Sequence, residues 1–239
     1  MTALQRPDIR LIMRRLFTFI LLAAVMAVVL AGCNRNEPEK AEAYYSCFAR
    51  TSLASGLDYV LENGQIFHAG KNNIDRYIPR EGRRIWMVFS TAEDLSQHEV
   101  NIRLFQVDTT VKIGESLIVP SAEDIPALGK DKIDVMLSPH EPYVSPEYIN
   151  LKVHYTGING YLHNFYLVQD ASKYSILDEY LELKLVHDDG GDERFYDVDQ
   201  WVCFPVAPFK DMFEGKSGIR IEIDTQKYGV QYITLSLID

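Results

Sequence analysis

The chain is poor in cysteine and in positive charge, and each shortage removes a class of protein. Three cysteines in 239 residues are too few for a disulfide-built scaffold. Lys+Arg 24 against Asp+Glu 34 gives a net charge of −10. Such a surface repels phosphate backbones and anionic headgroups, which excludes nucleic acid as a partner and a basic patch as a membrane contact. A spanning helix is missing too: it needs roughly 20 apolar residues, and the run from Leu16 to Leu30 ends at Gly32-Cys33 and the polar Asn34-Arg35-Asn36-Glu37. There is no His-Glu-x-x-His and no His-x-His. Gly114-Glu115-Ser116 and Gly215-Lys216-Ser217 each begin a serine-hydrolase elbow, but Ile118 and Ile219 stand where its second glycine belongs.

What is present first is an address. Arg14-Arg15, the apolar Leu16 to Leu30, the small Ala31-Gly32 and then Cys33 follow the order of a lipoprotein signal, with cleavage between Gly32 and Cys33 and acyl chains on Cys33. Several chains at about 0.8 kcal/mol per buried methylene anchor almost irreversibly. Met13, directly before the arginines, is the expected start. Residues 1–32 are therefore expected to be a signal peptide and 33–43, broken by Pro38, a flexible tether. Asn34 is not the aspartate that retains lipoproteins at the inner membrane, so the outer membrane is expected, in either leaflet. The signal carries four arginines and one aspartate, which leaves the mature chain with 20 basic and 33 acidic residues, or −13. Cys47 and Cys203 then remain as an even pair. They can bridge, closing a loop of roughly 155 residues for up to about 5 kcal/mol, or stay as two buried free thiols.

Apolar residues recur with period two. Ile149, Leu151, Val153 and Tyr155 alternate with polar neighbours, as do Leu181, Leu183 and Leu185, Ile219, Ile221 and Ile223, and Ile233, Leu235 and Leu237, which predicts half-buried strands. Asn63-Gly64, Asn159-Gly160, Asp189-Gly190-Gly191 and Tyr228-Gly229 fall between such runs, where hairpin turns need positive φ. No helical stripe of comparable length competes. The pattern breaks from Pro120 to Lys132, so the chain is expected to be all-β in two domains: a small barrel over 44–128 and an antiparallel β-sandwich over 129–239.

The lipobox, Ile133-Asp134-Val135-Met136, Tyr148-Ile149-Asn150-Leu151-Lys152-Val153 and Leu181-Glu182-Leu183-Lys184-Leu185-Val186-His187-Asp188 together resemble the NigD-like lipoproteins of Gram-negative bacteria. The resemblance covers most of the mature chain. It implies an OB-like N-terminal domain followed by a β-sandwich, and it brings no catalytic residue with it.

The residues that could carry chemistry are numerous but unarranged. His68, His98, His140, His154, His163 and His187 lack metal-ligand spacing. His187-Asp188-Asp189-Gly190-Gly191-Asp192-Glu193 is rich in carboxylates, as a cation loop is, yet departs from the EF-hand pattern and reads as a solvated turn. Glu141, Glu147, Asp197 and Asp199 could supply the two carboxylates of a glycosidase, but number is not geometry. Tyr143, Tyr148, Tyr155, Tyr161, Tyr166 and Trp201 suit strand packing better than ligand stacking. The sequence therefore predicts no catalytic residue, no cofactor and no metal ligand. It describes a non-enzymatic, lipid-anchored envelope protein that binds an envelope protein, a glycan or another extracellular ligand, in an oligomeric state the sequence leaves open. The alternatives are a glycan hydrolase, which needs two carboxylates converging in a cleft, and a purely structural envelope protein.

Overall fold

The computed structural model describes residues 43–70, 74, 76–137 and 142–237. The signal segment with Gly32 and Cys33, the tether up to Glu42, His140 and Glu141 lie outside the described residues. Six strands build the N-terminal body: β1 (Tyr44–Ser52), β2 (Asp58–Val60), β3 (Ile66–His68), β4 (Arg84–Ser90), β5 (Glu99–Asn101) and β6 (Arg103–Asp108). They pair in the order β5-β3-β2-β1-β4-β6. The two outermost strands are consecutive in the chain, with only Ile102 between them. There the Ile102 N–H donates to the His68 carbonyl (2.9 Å), after which the chain leaves β3 and continues as β6 against β4. A strand bent at one residue thus carries the sheet from one edge to the other. The result is a small barrel that does not close fully, filled by Tyr59, Ile85, Met87, Phe89 and Val100.

Asp58 and His68 stand opposite each other on β2 and β3 and bond through Oδ1 and Nδ1 at 2.8 Å. Ser55 also donates to Asp58, and Glu99 and Glu93 face the ring from β5 and the preceding turn. The His68 bond holds the Asp58 carboxyl below its usual range, and the Asp58 bond raises His68. The stabilisation from His68 is complete below the unfolded-state pKa of about 6.5 and is lost as pH rises through the raised value. That from Asp58 is present above about 4 and is lost as pH falls. We expect the melting temperatures of wild type and His68→Gln to differ most near pH 5.5 and to converge toward pH 8.5. A gap that does not change with pH would show that the pair carries no charge coupling.

The remaining strands form two facing five-stranded sheets. They are β7 (Lys112–Ile113), β8 (Glu115–Val119), β9 (Asp134–Val135), β10 (Tyr143–Val144), β11 (Tyr148–Gly157), β12 (Asn164–Asp170), β13 (Tyr180–Asp188), β14 (Tyr196–Pro205), β15 (Gly218–Thr225) and β16 (Gly229–Ser236). One sheet runs β10-β11-β14-β7 with β9 also on β11; the other runs β16-β15-β13-β12-β8. The predicted alternations meet between them: Ile149, Leu151, Val153, Leu181, Leu183, Ile219 and Ile221 share one core. The chain is an all-β sandwich protein, as its sequence implies, although three ladders within the sandwich sheets, β7–β14, β8–β12 and β13–β15, are parallel.

Because β7 and β8 supply two of those parallel strands, the sheets take in residues before the break that was expected to end the barrel at 128. Within that break, Ala122–Ala127 forms a 3-10 helix capped by Ser121, and Ile125 packs on Val168 and Val186. It covers the outer face of the second sheet instead of linking two domains. Two of the four turn signals also differ from expectation. Asn63-Gly64 and Tyr228-Gly229 close hairpins, but Asn159-Gly160 and Asp189-Gly190-Gly191 cross from one sheet to the other. A glycine turn reverses the chain without fixing which strand it meets next.

Candidate functional site

Three features bring polar side chains together. The first joins the barrel to the sandwich. Arg84, at the start of β4, lies between the Phe48 and Tyr148 rings, 4.7 and 4.0 Å from their centroids. Its Nη2 donates to Glu62 Oε1 (2.5 Å) and Asn150 Oδ1 (3.1 Å), while Glu62 Oε2 accepts the Glu147 N–H (3.1 Å). Phe48 meets Trp201 edge-on at 5.1 Å. Arg50 pairs with Glu147 at the rim. Cys203 is buried beside Arg84; burial pushes its thiol up to about 11 against the guanidinium's opposing pull.

The second is a cleft of about 480 Å³ on the outer face of the second sheet. Parallel pairing of β13 and β15 puts Glu182 beside Arg220 and Lys184 beside Glu222, and both pairs close at 2.7 Å. Tyr232 on β16 donates its hydroxyl to Glu222 (3.2 Å). Burial alone would raise the Glu222 carboxyl, but the Lys184 ammonium outweighs it and the net shift is downward. Opposite this ion-paired floor, Ile125, Pro126, Val168 and Val186 form an apolar wall. The floor is charge-balanced, so the cleft suits a polar ligand of low net charge that also presents an apolar face.

The third lies at one mouth of the sandwich, where the two sheet-crossing arches touch. Asp192 Oδ2 accepts from the Ile158 and Asn159 N–H groups (2.6 and 2.8 Å) and contacts His163 Nε2 at 3.1 Å. A side chain at Gly157 would collide with both His163 and Asp192, so the residue there must lack one. His163 Nδ1 lies 2.8 Å from His187 Nε2. Both rings are buried, packed with Tyr155 and Phe165.

Asp192 can only accept, which puts a hydrogen on His163 Nε2. The other nitrogen, His163 Nδ1, is taken up by His187 Nε2, which leaves His187 Nδ1 as the free end of the relay. That atom has no hydrogen-bond partner; the Lys132 main chain passes near it outside bonding geometry. Burial first, and His163 second, push His187 down to about 4, which keeps it neutral. The Asn159 N–H is the largest influence holding Asp192 below the usual carboxylate range. His187 lines a cavity of about 180 Å³ with Tyr155, Asp131, Asp189, Arg194 and Gln226.

The other residues noted in the sequence fall apart in space. Glu147 binds Arg50, whereas Asp197 and Asp199 flank His154 on the exposed face of β14. Asp199 pairs with His154 and Pro205 with Tyr148, so six residues of strand, about 20 Å, separate the two groups. Glycosidase carboxylates stand about 5–9.5 Å apart. Cys47 and Cys203 are free thiols, not a bridge. Cys47 packs toward the barrel core and burial raises it to about 12, while Cys203 faces Phe48 and Trp201. Tyr155 and Trp201 are core residues, as packing predicts, but Tyr161 is almost fully exposed. His163 and His187 lack ligand spacing in the sequence, yet the inward phase of Leu181, Leu183 and Leu185 continues to His187, and that of Phe165 and Leu167 extends back to His163.

Residues 117–237 match the profile of the NigD-like C-terminal beta sandwich domain. A protein of unknown function from Bacteroides vulgatus superposes with a TM-score of 0.65 at 16% identity, over 82% of this chain and 92% of that one. A Bacteroides fragilis protein described as a candidate lipoprotein gives 0.60 at 13% identity, over 82% and 99%. A NigD-like immunity protein from Bacteroides caccae gives 0.54 at 18%, over 81% and 91%. At these identities the likeness is one of fold. No curated protein matches the chain.

Proposed function

Because the chain belongs to the NigD-like family through its residues 117–237, we propose that it is a non-enzymatic binding module held on the outer membrane by a lipid on Cys33. The observation that carries this reading is the ion-paired cleft on the outer face of the second sheet. Its carboxylates are committed to cations, and the cleft presents recognition chemistry: paired charges, a tyrosine hydroxyl and an apolar wall. Every carboxylate with a resolved shift among the described residues is moved downward. A glycosidase acid requires the opposite displacement. The ligand is a glycan or a protein of the envelope, met by a body that the Cys33 anchor and a short polar tether keep near the membrane.

The test combines labelling and accessibility. Wild type is expected to incorporate labelled palmitate and to sediment with outer membranes, and Cys33→Ala to accumulate as an unlabelled precursor. Recovery of that variant still acylated would overturn the anchor. Protease treatment of intact cells then assigns the face: digestion points to extracellular glycans, and protection to periplasmic protein partners.

A further inference from the structure

We propose that a calcium ion binds through Asp131, Asp188 and Asp189 at the rim of the cavity at the sandwich mouth, whose wall includes Asp131 and Asp189. The fold brings these three carboxylates together from two distant segments: Asp131 follows the 3-10 helix, Asp188 ends β13 and Asp189 begins the turn after it. One oxygen of each lies within 4.8 Å of the other two, and all three residues are half-buried. The only guanidinium among them, from the exposed Arg194, reaches Asp131 Oδ1 at 3.2 Å and Asp189 Oδ2 at 3.5 Å. Lys132, also on the cavity wall, is turned to Asp224 at 3.6 Å. Three carboxylates against one guanidinium leave a net negative site, in which the Asp189, Gly190 and Gly191 N–H groups and the Asn164 amide supply the other donors.

The second observation is independent of the acidic cluster. His187, 3% exposed, lines the same cavity, and its Nδ1 has no partner. Its other nitrogen is held through His163 by Asp192, the relay that commonly orients an imidazole at a metal centre. A buried ring nitrogen without a partner is unfavourable unless something in the cavity bonds to it. Water on a cation is such a partner. His187 is not among the clustered ligand atoms, so the direct ligands are all oxygen, which selects a hard cation. Mg²⁺ demands near-octahedral geometry and dehydrates reluctantly. Ca²⁺ accepts irregular carboxylate, carbonyl and water shells such as a strand end and a loop can provide. The site borders the outer-face cleft, since Asp131 and His187 line both cavities, but its carboxylate cluster is distinct from the Glu182–Arg220 and Lys184–Glu222 floor on which the proposed binding role rests.

Full-length protein in detergent, freed of metal with a chelator, is to be titrated with CaCl₂ in a calorimeter. One ion per chain is expected, with a Kd of roughly 0.1 to 1 mM, typical of extracellular modules. Asp131→Asn and Asp189→Asn are expected to weaken uptake by about tenfold or more, with circular dichroism showing that they remain folded. Arg194→Gln removes the competing cation and is expected to tighten uptake several-fold. A purely structural Asp131–Arg194–Asp189 triad predicts instead that this variant is less stable and gains nothing from calcium. The proposal is overturned by no saturable uptake up to about 10 mM in both wild type and Arg194→Gln, or by uptake that survives Asp131→Asn with Asp189→Asn unchanged.

Discussion

Arg84→Ala is expected to lower the melting temperature by on the order of 10 °C, from a loss of about 3–5 kcal/mol and about 2–4 °C per kcal/mol for a domain this size. The side chains of Arg84 and Glu62 are only 4% and 12% exposed. Removing the guanidinium strands the Glu62 carboxylate and Asn150 Oδ1 without their donor, and it empties the space between the Phe48 and Tyr148 rings. The stranded charge is the larger part of the loss. Arg84→Met combined with Glu62→Gln should therefore recover most of the melting temperature, since it removes the charge and refills the gap. Calorimetry on the three proteins decides. A double variant no better than Arg84→Ala would place the loss in aromatic packing instead.

Gly129→Ala is expected to destabilise the protein by about 3 kcal/mol, combining backbone strain with a steric conflict. Gly129 has φ +147, and an added Cβ would stand 2.8 Å from the His187 carbonyl carbon and 2.9 Å from Asp188 Cβ. The segment cannot retreat without breaking the bond from the Asp131 N–H to the His187 carbonyl (3.0 Å). Calcium uptake should fall in the same variant, because Asp131 moves with its backbone. Gly191→Ala is the control: φ is +77 there, but nothing lies within 4 Å of the new atom, so about 1 kcal/mol is expected. Chemical denaturation of both variants separates contact from strain, and equal losses would sink the steric argument.

These two sites also mark how far the sequence could be read. Period-two alternation located the strands that fill the sandwich, because inward and outward residues differ in chemistry along a single strand. Partner choice is invisible to that signal. Asn159-Gly160 looks like a hairpin turn and is an arch. Glu115 to Val119 looks like the end of the barrel and is an edge strand of the sandwich. The complementary order of Glu182 and Lys184 with Arg220 and Glu222 was present in the sequence, but only the parallel register of β13 and β15 turns it into ion pairs. The carboxylates of Asp131 and Asp189 are likewise joined only by the fold, so a search for local ligand spacing passes over them. The histidine pair was the most legible miss, since both residues continue the apolar phase of their strands.

The parallel edge strands have a consequence in time. Lys112 finds its ladder partner at Val202, and Glu115 at Tyr166, whereas every ladder of the barrel is complete by Asp108. Closing such long loops is entropically unfavourable until the late strands arrive, so the two halves of the protein form at different rates. The barrel is able to collapse early. Until β12 and β14 arrive, the segment around Ile113, Leu117 and Val119 waits as unpaired, apolar backbone, and that interval is when the chain is most exposed to aggregation.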